Sequence, residues 1–254
     1  MELQLEGRTA LVTGSDRRTG EVIAETLERE GTRVIYHGND AAPERELAVT
    51  GDVSTVAGCE AVTAGLATLD IQPDILVNNY GTADRHSWED ADTDKWLEMY
   101  QVNVLSAARL VRACVPAMKE RGWGRVVNLG TIGSHQPNNI MPAYYAAKGA
   151  LATLGVSLAK ELSNTGITVN TVSPGLIRTE QVEEAYRRRA ERKGWGEEWS
   201  DIVKHVVEND FPNPTGRIAE REEVADLVAF LCSPRAGFIN GQNIRIDGGA
   251  VRYV

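Results

Sequence analysis

Thr9-Ala10-Leu11-Val12-Thr13-Gly14-Ser15-Asp16-Arg17-Arg18-Thr19-Gly20 is the stretch that decides the fold. Its apolar start reads as a strand over 8–13, its first glycine as a turn, and residues 20–30 as a helix. Val22, Ile23, Thr26 and Leu27 face inward on that helix, and Gly31 stops it. A helix N-terminus presents unpaired N–H groups and a partial positive charge, and a turn without side chains lets a pyrophosphate approach them. Strand, glycine turn and helix in that order therefore form a candidate anion cradle.

The alternation continues along the chain. Strands are expected over 33–37, 47–50, 75–77, 125–129 and 167–172, with helices over 54–68, 96–119, 143–162 and 220–232. Continuous apolar strands between helices imply an α/β fold, a Rossmann-type doubly wound parallel sheet with helices on both faces. Ligands bind such sheets at the carboxyl ends of the strands. The chain has 254 residues, 42% apolar and 25% charged, which suits one domain over 1–254. With 27 basic against 36 acidic side chains, the net charge of −9 argues against nucleic acid as a partner. The first strand starts too close to Met1 to leave room for a signal peptide, and no apolar run spans a bilayer, so a cytoplasmic location is expected. Cys59, Cys114 and Cys232 suggest buried thiols, and the four histidines show no metal-ligand spacing, so no metal is expected.

Tyr144-Tyr145-Ala146-Ala147-Lys148 carries the chemistry. Tyr144 and Lys148 stand four apart, one turn along a helix face. A phenol titrates near 10, and a neighbouring cation should draw it toward the working range, making the pair a proton shuttle. In chain order come the glycine turn, Asp52, Asn78-Asn79-Tyr80-Gly81, Asn103, Thr131, Tyr144, Lys148 and Pro174-Gly175. In that order and spacing the chain resembles the short-chain dehydrogenase/reductase family over essentially its whole length. The tail, with Phe238 to Gln242 and Asp247-Gly248-Gly249, resembles that of 3-oxoacyl reductases.

The resemblance implies an NAD(P)-dependent enzyme interconverting a ketone and a secondary alcohol, with catalytic roles for Tyr144, Lys148, Thr131 and Asn103. Tyr144 would exchange the proton, Lys148 would lower its pKa and bind the nicotinamide ribose, and Asn103 would link Lys148 to a water relay. Thr131 stands where the family generally has Ser, thirteen before Tyr144, with Ser134 as a rival for polarising the carbonyl. Cofactor contacts carry over to Gly14, Arg17, Arg18, Gly20, Asn39, Asp52, Val53, Asn79, Gly81, Tyr144, Lys148, Pro174, Gly175, Ile177 and Thr179. A small-molecule carbonyl or alcohol substrate, no nucleic acid, no membrane, and a homotetramer built on the two long helices are further implications.

The chain departs from its family around the cofactor. Arg18 occupies the middle glycine of the usual Thr-Gly-x-x-x-Gly-x-Gly run, where it either strains the turn or, with Arg17, grips a phosphate. At the end of the second strand, NAD users commonly place an acid; here the position is Gly38. Its absence and Arg17 point to NADP, while Asp40 keeps NAD open. Tyr80 replaces the family's Ala. Residues 180–214, with Trp195, Trp199 and Phe211, are expected to form a lid over a fairly large or apolar substrate. The competing readings are an NAD-linked alcohol dehydrogenase and a catalytically weakened cofactor sensor or scaffold.

Overall fold

A computed structural model describes residues 2–253. Seven strands form one parallel sheet in the order β3-β2-β1-β4-β5-β6-β7. They are β1 (Thr9–Val12), β2 (Arg33–Gly38), β3 (Ala48–Thr50), β4 (Ile75–Asn78), β5 (Gly124–Leu129), β6 (Ile167–Pro174) and β7 (Asn243–Ile246). The register places Val12 beside Tyr36 and Val77, so the ends of β1, β2 and β4 open together. Chain order reverses across β1 and β4, which is where a parallel sheet leaves a crevice.

Both faces are covered, as the unbroken apolar strands require. On one side α1 (Arg18–Arg29) and α8 (Arg221–Cys232) bury Ile23, Leu27, Val224 and Val228 against the sheet. On the other, α2 (Val56–Thr68), α4 (Ser106–Arg121) and α5 (Pro142–Glu161) bury Val62, Leu110, Met118 and Ala159. Each fully buried Leu or Ile contributes roughly 2 kcal/mol of transfer free energy, so these two layers dominate the drive to fold.

Three elements differ from expectation. The helix expected over 96–119 is α3 (Thr93–Tyr100), a π-helical turn over Gln101–Leu105, and then α4. The side-chain amide of Asn103, inside that turn, donates to the Met99 carbonyl at 3.1 Å and to the Thr82 carbonyl at 3.0 Å. A side chain that takes a helix carbonyl in this way accompanies the wider turn, and such bulges concentrate at functional sites. Segment 180–214 holds two helices, α6 (Glu180–Lys193) and α7 (Trp199–Asn209), whose Ala190, Ile202 and Val206 are buried together with Ile218 beyond the segment. Finally, β7 is a half-buried edge strand in which Ile alternates with Asn and Arg, too short a pattern to stand out in the sequence.

Candidate active site

The β1–α1 turn is built around close approach. Gly14 has φ of +61°, and a Cβ on Gly20 would lie 2.1 Å from the Gly14 carbonyl oxygen and 2.4 Å from Asn79 Nδ2. Asn79 Nδ2 donates to the Thr13 carbonyl at 2.8 Å and the Gly14 carbonyl at 3.1 Å, while the Asn79 and Tyr80 amides donate to Thr13 Oγ1. Asn79 thus ties the end of β4 to the glycine turn. Arg18 adopts φ of +58° where the family has glycine. That left-handed conformation carries roughly 1–2 kcal/mol of strain in a residue with a Cβ. Arg17 lies just outside the helix, largely exposed, 3.6 Å from the Asp16 carboxylate.

These residues line a cleft of about 210 Å³ with Asp16, Thr19, Asn39, Tyr80, Gly81, Thr179 and Gln181. Asn39 Oδ1 is buried there without a partner. At Gly38 a Cβ would sit 1.9 Å from the Ala41 carbonyl oxygen, so the turn excludes any side chain, an acid included. A helix N-terminus, two guanidinium groups and a side-chain-free floor fit a dinucleotide phosphate. Asp52 follows β3 and is outside the residues that line the cleft; its Oδ1 accepts from the Ser54 amide at 3.0 Å and the Ser54 hydroxyl at 2.7 Å. Val53 is wholly buried, and its carbonyl accepts the Cys59 thiol.

Across the cleft, α5 supplies Tyr144 and Lys148. Lys148 Nζ is buried, donates to the Leu129 carbonyl at 2.8 Å, and stands 5.9 Å from the centre of the Tyr144 ring. Burial lowers the lysine from its ordinary 10.5 to about 8. Burial also pushes the Tyr144 phenol up to about 12, and the adjacent Thr131 hydroxyl only partly offsets this. The expected lowering of Tyr144 by Lys148 is therefore reversed in this state: desolvation dominates, and the lysine hydrogen bond goes to Leu129. Asn103 Oδ1 is buried without a partner, and it converges with Lys148 Nζ on Gly81. A Cβ at Gly81 would lie 2.7 Å from the first and 3.0 Å from the second.

Thr131 and Ser134 separate by their bonding. Ser134 Oγ donates to the Thr131 carbonyl at 2.7 Å as a loop brace, whereas the Thr131 hydroxyl lies beside Tyr144 and accepts the Gly133 amide at 3.2 Å. Tyr145 packs at 5.7 Å from Tyr144 and against Gly133. Thr179 caps α6 and lines the cleft. Pro174 ends β6, and Gly175 lines a separate cavity of about 100 Å³ beneath Phe211, whose ring leaves no room for a Cβ at Gly175. Ile177 is partly buried and pairs with Ala219. The indoles of 180–214 are held by polar partners: Trp195 stacks on His205 at 5.0 Å, and the guanidinium groups of Arg178 and Arg187 lie over Trp199.

Sequence reading missed His37, which it weighed only as a metal ligand. Its ring is wholly buried; Nδ1 accepts the Gly14 amide at 3.0 Å and Nε2 meets the Gly51 carbonyl at 2.9 Å. This is the neutral tautomer with the proton on Nε2. Its place one residue before Gly38, at the end of a strand facing the turn, was the available signal. Among the described residues no cluster of His, Cys, Asp or Glu could hold a metal, and no helix is long and apolar enough to cross a membrane.

A family model described as enoyl-(acyl carrier protein) reductase matches residues 15–251. An oxidoreductase of Bacillus subtilis is 33% identical, with both chains covered completely. The 3-oxoacyl-[acyl-carrier-protein] reductase of Vibrio cholerae is 31% identical over 97% of this chain and 98% of its own. Among solved structures, L-sorbose reductase from Gluconobacter frateurii, complexed with NADPH and L-sorbose, superposes with a TM-score of 0.91 at 31% identity over the whole of both chains. A 3-oxoacyl (acyl-carrier-protein) reductase from Agrobacterium tumefaciens with NADP bound gives 0.83 at 29% identity, covering 98% of this chain and 96% of that one. With the cleft, the seven-stranded sheet and these matches in agreement, the chain belongs to the short-chain dehydrogenase/reductase family of oxidoreductases.

Proposed function

We propose that the protein is an NADP-preferring reductase that interconverts a ketone and a secondary alcohol, with Tyr144 as proton donor. The observation that carries this reading is the convergence of Tyr144, Thr131, Lys148 and Asn103 beside a cleft shaped for a dinucleotide phosphate. A bound nicotinamide supplies the hydride. Tyr144, with its pKa near 12, keeps its proton at neutral pH and gives it to the carbonyl oxygen. The Thr131 hydroxyl holds that oxygen in line with the phenol. Lys148, near 8, is mostly charged at pH 7 and favours the phenolate once the proton has left. The unpartnered Asn103 Oδ1 offers an acceptor from which a proton relay to Lys148 can start.

Preference for NADP is supported by Arg17, by the turn at Gly38 that admits no acid, and by the NADPH and NADP bound in two related structures. Segment 180–214 is read as a substrate lid, since it has its own small core and positive-φ glycines at Gly194 and Gly196. Exposed Leu97 and Tyr100 on α3 and Val156 on α5 support pairing of these helices in a homotetramer. The test is titration of the purified protein with NADPH and NADH, followed by turnover on a panel of ketoses and 3-oxoacyl thioesters. Tighter NADPH binding, selectively weakened by Arg17→Ala, is the expected result. Equal binding of the two cofactors contradicts the preference.

A further inference from the structure

Tyr80 is a cleft-lining residue to which the proposed function gives no role. It stands where the family has Ala, so its ring adds an aromatic surface the family site lacks. The backbone is fixed at both ends of the ring's reach. The Tyr80 amide donates to Thr13 Oγ1 at 2.9 Å, and its Cα lies 3.3 Å from the Cβ position of Gly14, so the residue is pinned to the glycine turn. From the end of β4 the ring extends over His37, edge to face, with centres 6.4 Å apart and planes 85° apart. His37 is itself held from both sides by Gly14 and Gly51, which makes it a rigid support. The phenol points toward Ser54; burial raises it above its ordinary 10, the Asp52 and Asp40 carboxylates add to the rise, and Ser54 and Arg17 oppose it. The half-buried ring therefore lines the cleft beside the phosphate cradle and packs against the core that holds Val53, on the side of the Asp52-Ser54 turn.

We infer that Tyr80 is an aromatic platform for the purine base of the ligand, a positioning and specificity element particular to this chain. The inference rests on the dinucleotide reading above. A ligand whose phosphates meet the N-terminus of α1 and whose base edge meets Asp52 has its base over this ring. Every purine presents a π-face, and stacking on an aromatic side chain strengthens binding by roughly five- to a hundredfold per base. Because the Tyr80 backbone is tied to Thr13 and its ring rests on His37 before any ligand arrives, little ordering is needed on binding.

Calorimetric titration of the intact protein tests this with three probes: NADPH, adenosine 2′,5′-bisphosphate and reduced nicotinamide mononucleotide, which has no purine. Tyr80→Ala should weaken the first two by about tenfold and leave the mononucleotide within about twofold. Tyr80→Phe keeps the stacking face and should stay close to the parent for all three. Adenosine bisphosphate that binds Tyr80→Ala as well as the parent, or more tightly, overturns the proposal, the ring being then filler or an obstruction. Equal weakening of all three probes also overturns it, since a general distortion would do that. Failure of the parent to bind NADPH or NADH would defeat the dinucleotide reading itself, an outcome distinct from a parent that binds NADPH and a variant that is unaffected.

Discussion

Lys148→Met is expected to make the protein more stable while removing the ammonium that the proposed mechanism assigns to the site. The side chain is buried, and burial lowers its pKa from 10.5 to about 8. At about 1.4 kcal/mol per pH unit, holding that charge at pH 7 costs roughly 3 kcal/mol. Methionine keeps the apolar stem but leaves the Leu129 carbonyl without its 2.8 Å donor, which returns about 1 kcal/mol of the gain. The net expectation near neutral pH is about 2 kcal/mol, or a rise of roughly 4–8 °C in Tm for a chain of this size. The pH dependence follows from the sign of the shift. Between pH 8 and 10.5 the unfolded parent binds more protons than the folded one, so the parent gains stability as pH rises through that window. The variant's advantage should be full below 8 and largely gone near 10.5. Calorimetric melts of both proteins at pH 7 and pH 10 measure it. A variant that melts below the parent at pH 7, or an advantage equal at both pH values, refutes the burial argument.

Thr131→Val should lower turnover by about a hundredfold, as loss of one polarising donor commonly does, while Ser134→Ala should change it little; initial rates in the opposite order would move the role to Ser134. His37 is held below its ordinary 6.5, chiefly by burial, so the unfolded chain takes up the proton first as pH falls. Stability should therefore drop below pH 6.5, and a urea-denaturation series from pH 7 to 5 should show a shallower slope for His37→Asn; equal slopes would contradict the buried neutral imidazole. Amide hydrogen exchange across 180–214 should be faster than in the sheet and should slow when NADPH and a substrate analogue bind; exchange already slow and unaltered by ligand would make the segment a fixed surface element.

The sheet was legible because its strands are continuous apolar runs between helices of clear period, and the glycine turn marked where the first pair opens. Tyr144 and Lys148 were legible as helical neighbours, but their electrostatics were not. Spacing shows that a phenol and an ammonium share a face; only the fold shows that Lys148 is buried and gives its hydrogen bond to Leu129, while the half-buried Tyr144 is raised by desolvation. Similarly, Asn103 could be placed on a helix, yet the π-helical turn around it depends on carbonyl partners at Thr82 and Met99 that no local pattern encodes. His37 and Tyr80 escaped for the same reason. What fixes them is contact with groups distant in sequence, Gly14 and Gly51 at His37 and the His37 ring itself at Tyr80. Trp195 and Trp199 looked like free apolar area, but His205 and three arginines, Arg178, Arg187 and Arg189, occupy their faces.

The central claim is that Tyr144 gives the proton in carbonyl reduction. It is tested most directly by comparing Tyr144→Phe with the parent, measuring kcat for reduction of a ketone substrate alongside the Kd of NADPH. The account predicts that turnover falls at least roughly a hundredfold with the cofactor Kd nearly unchanged, and that Tyr145→Phe, which keeps Tyr144, loses far less. A Tyr144→Phe protein that reduces the ketone at a rate comparable to the parent would contradict it.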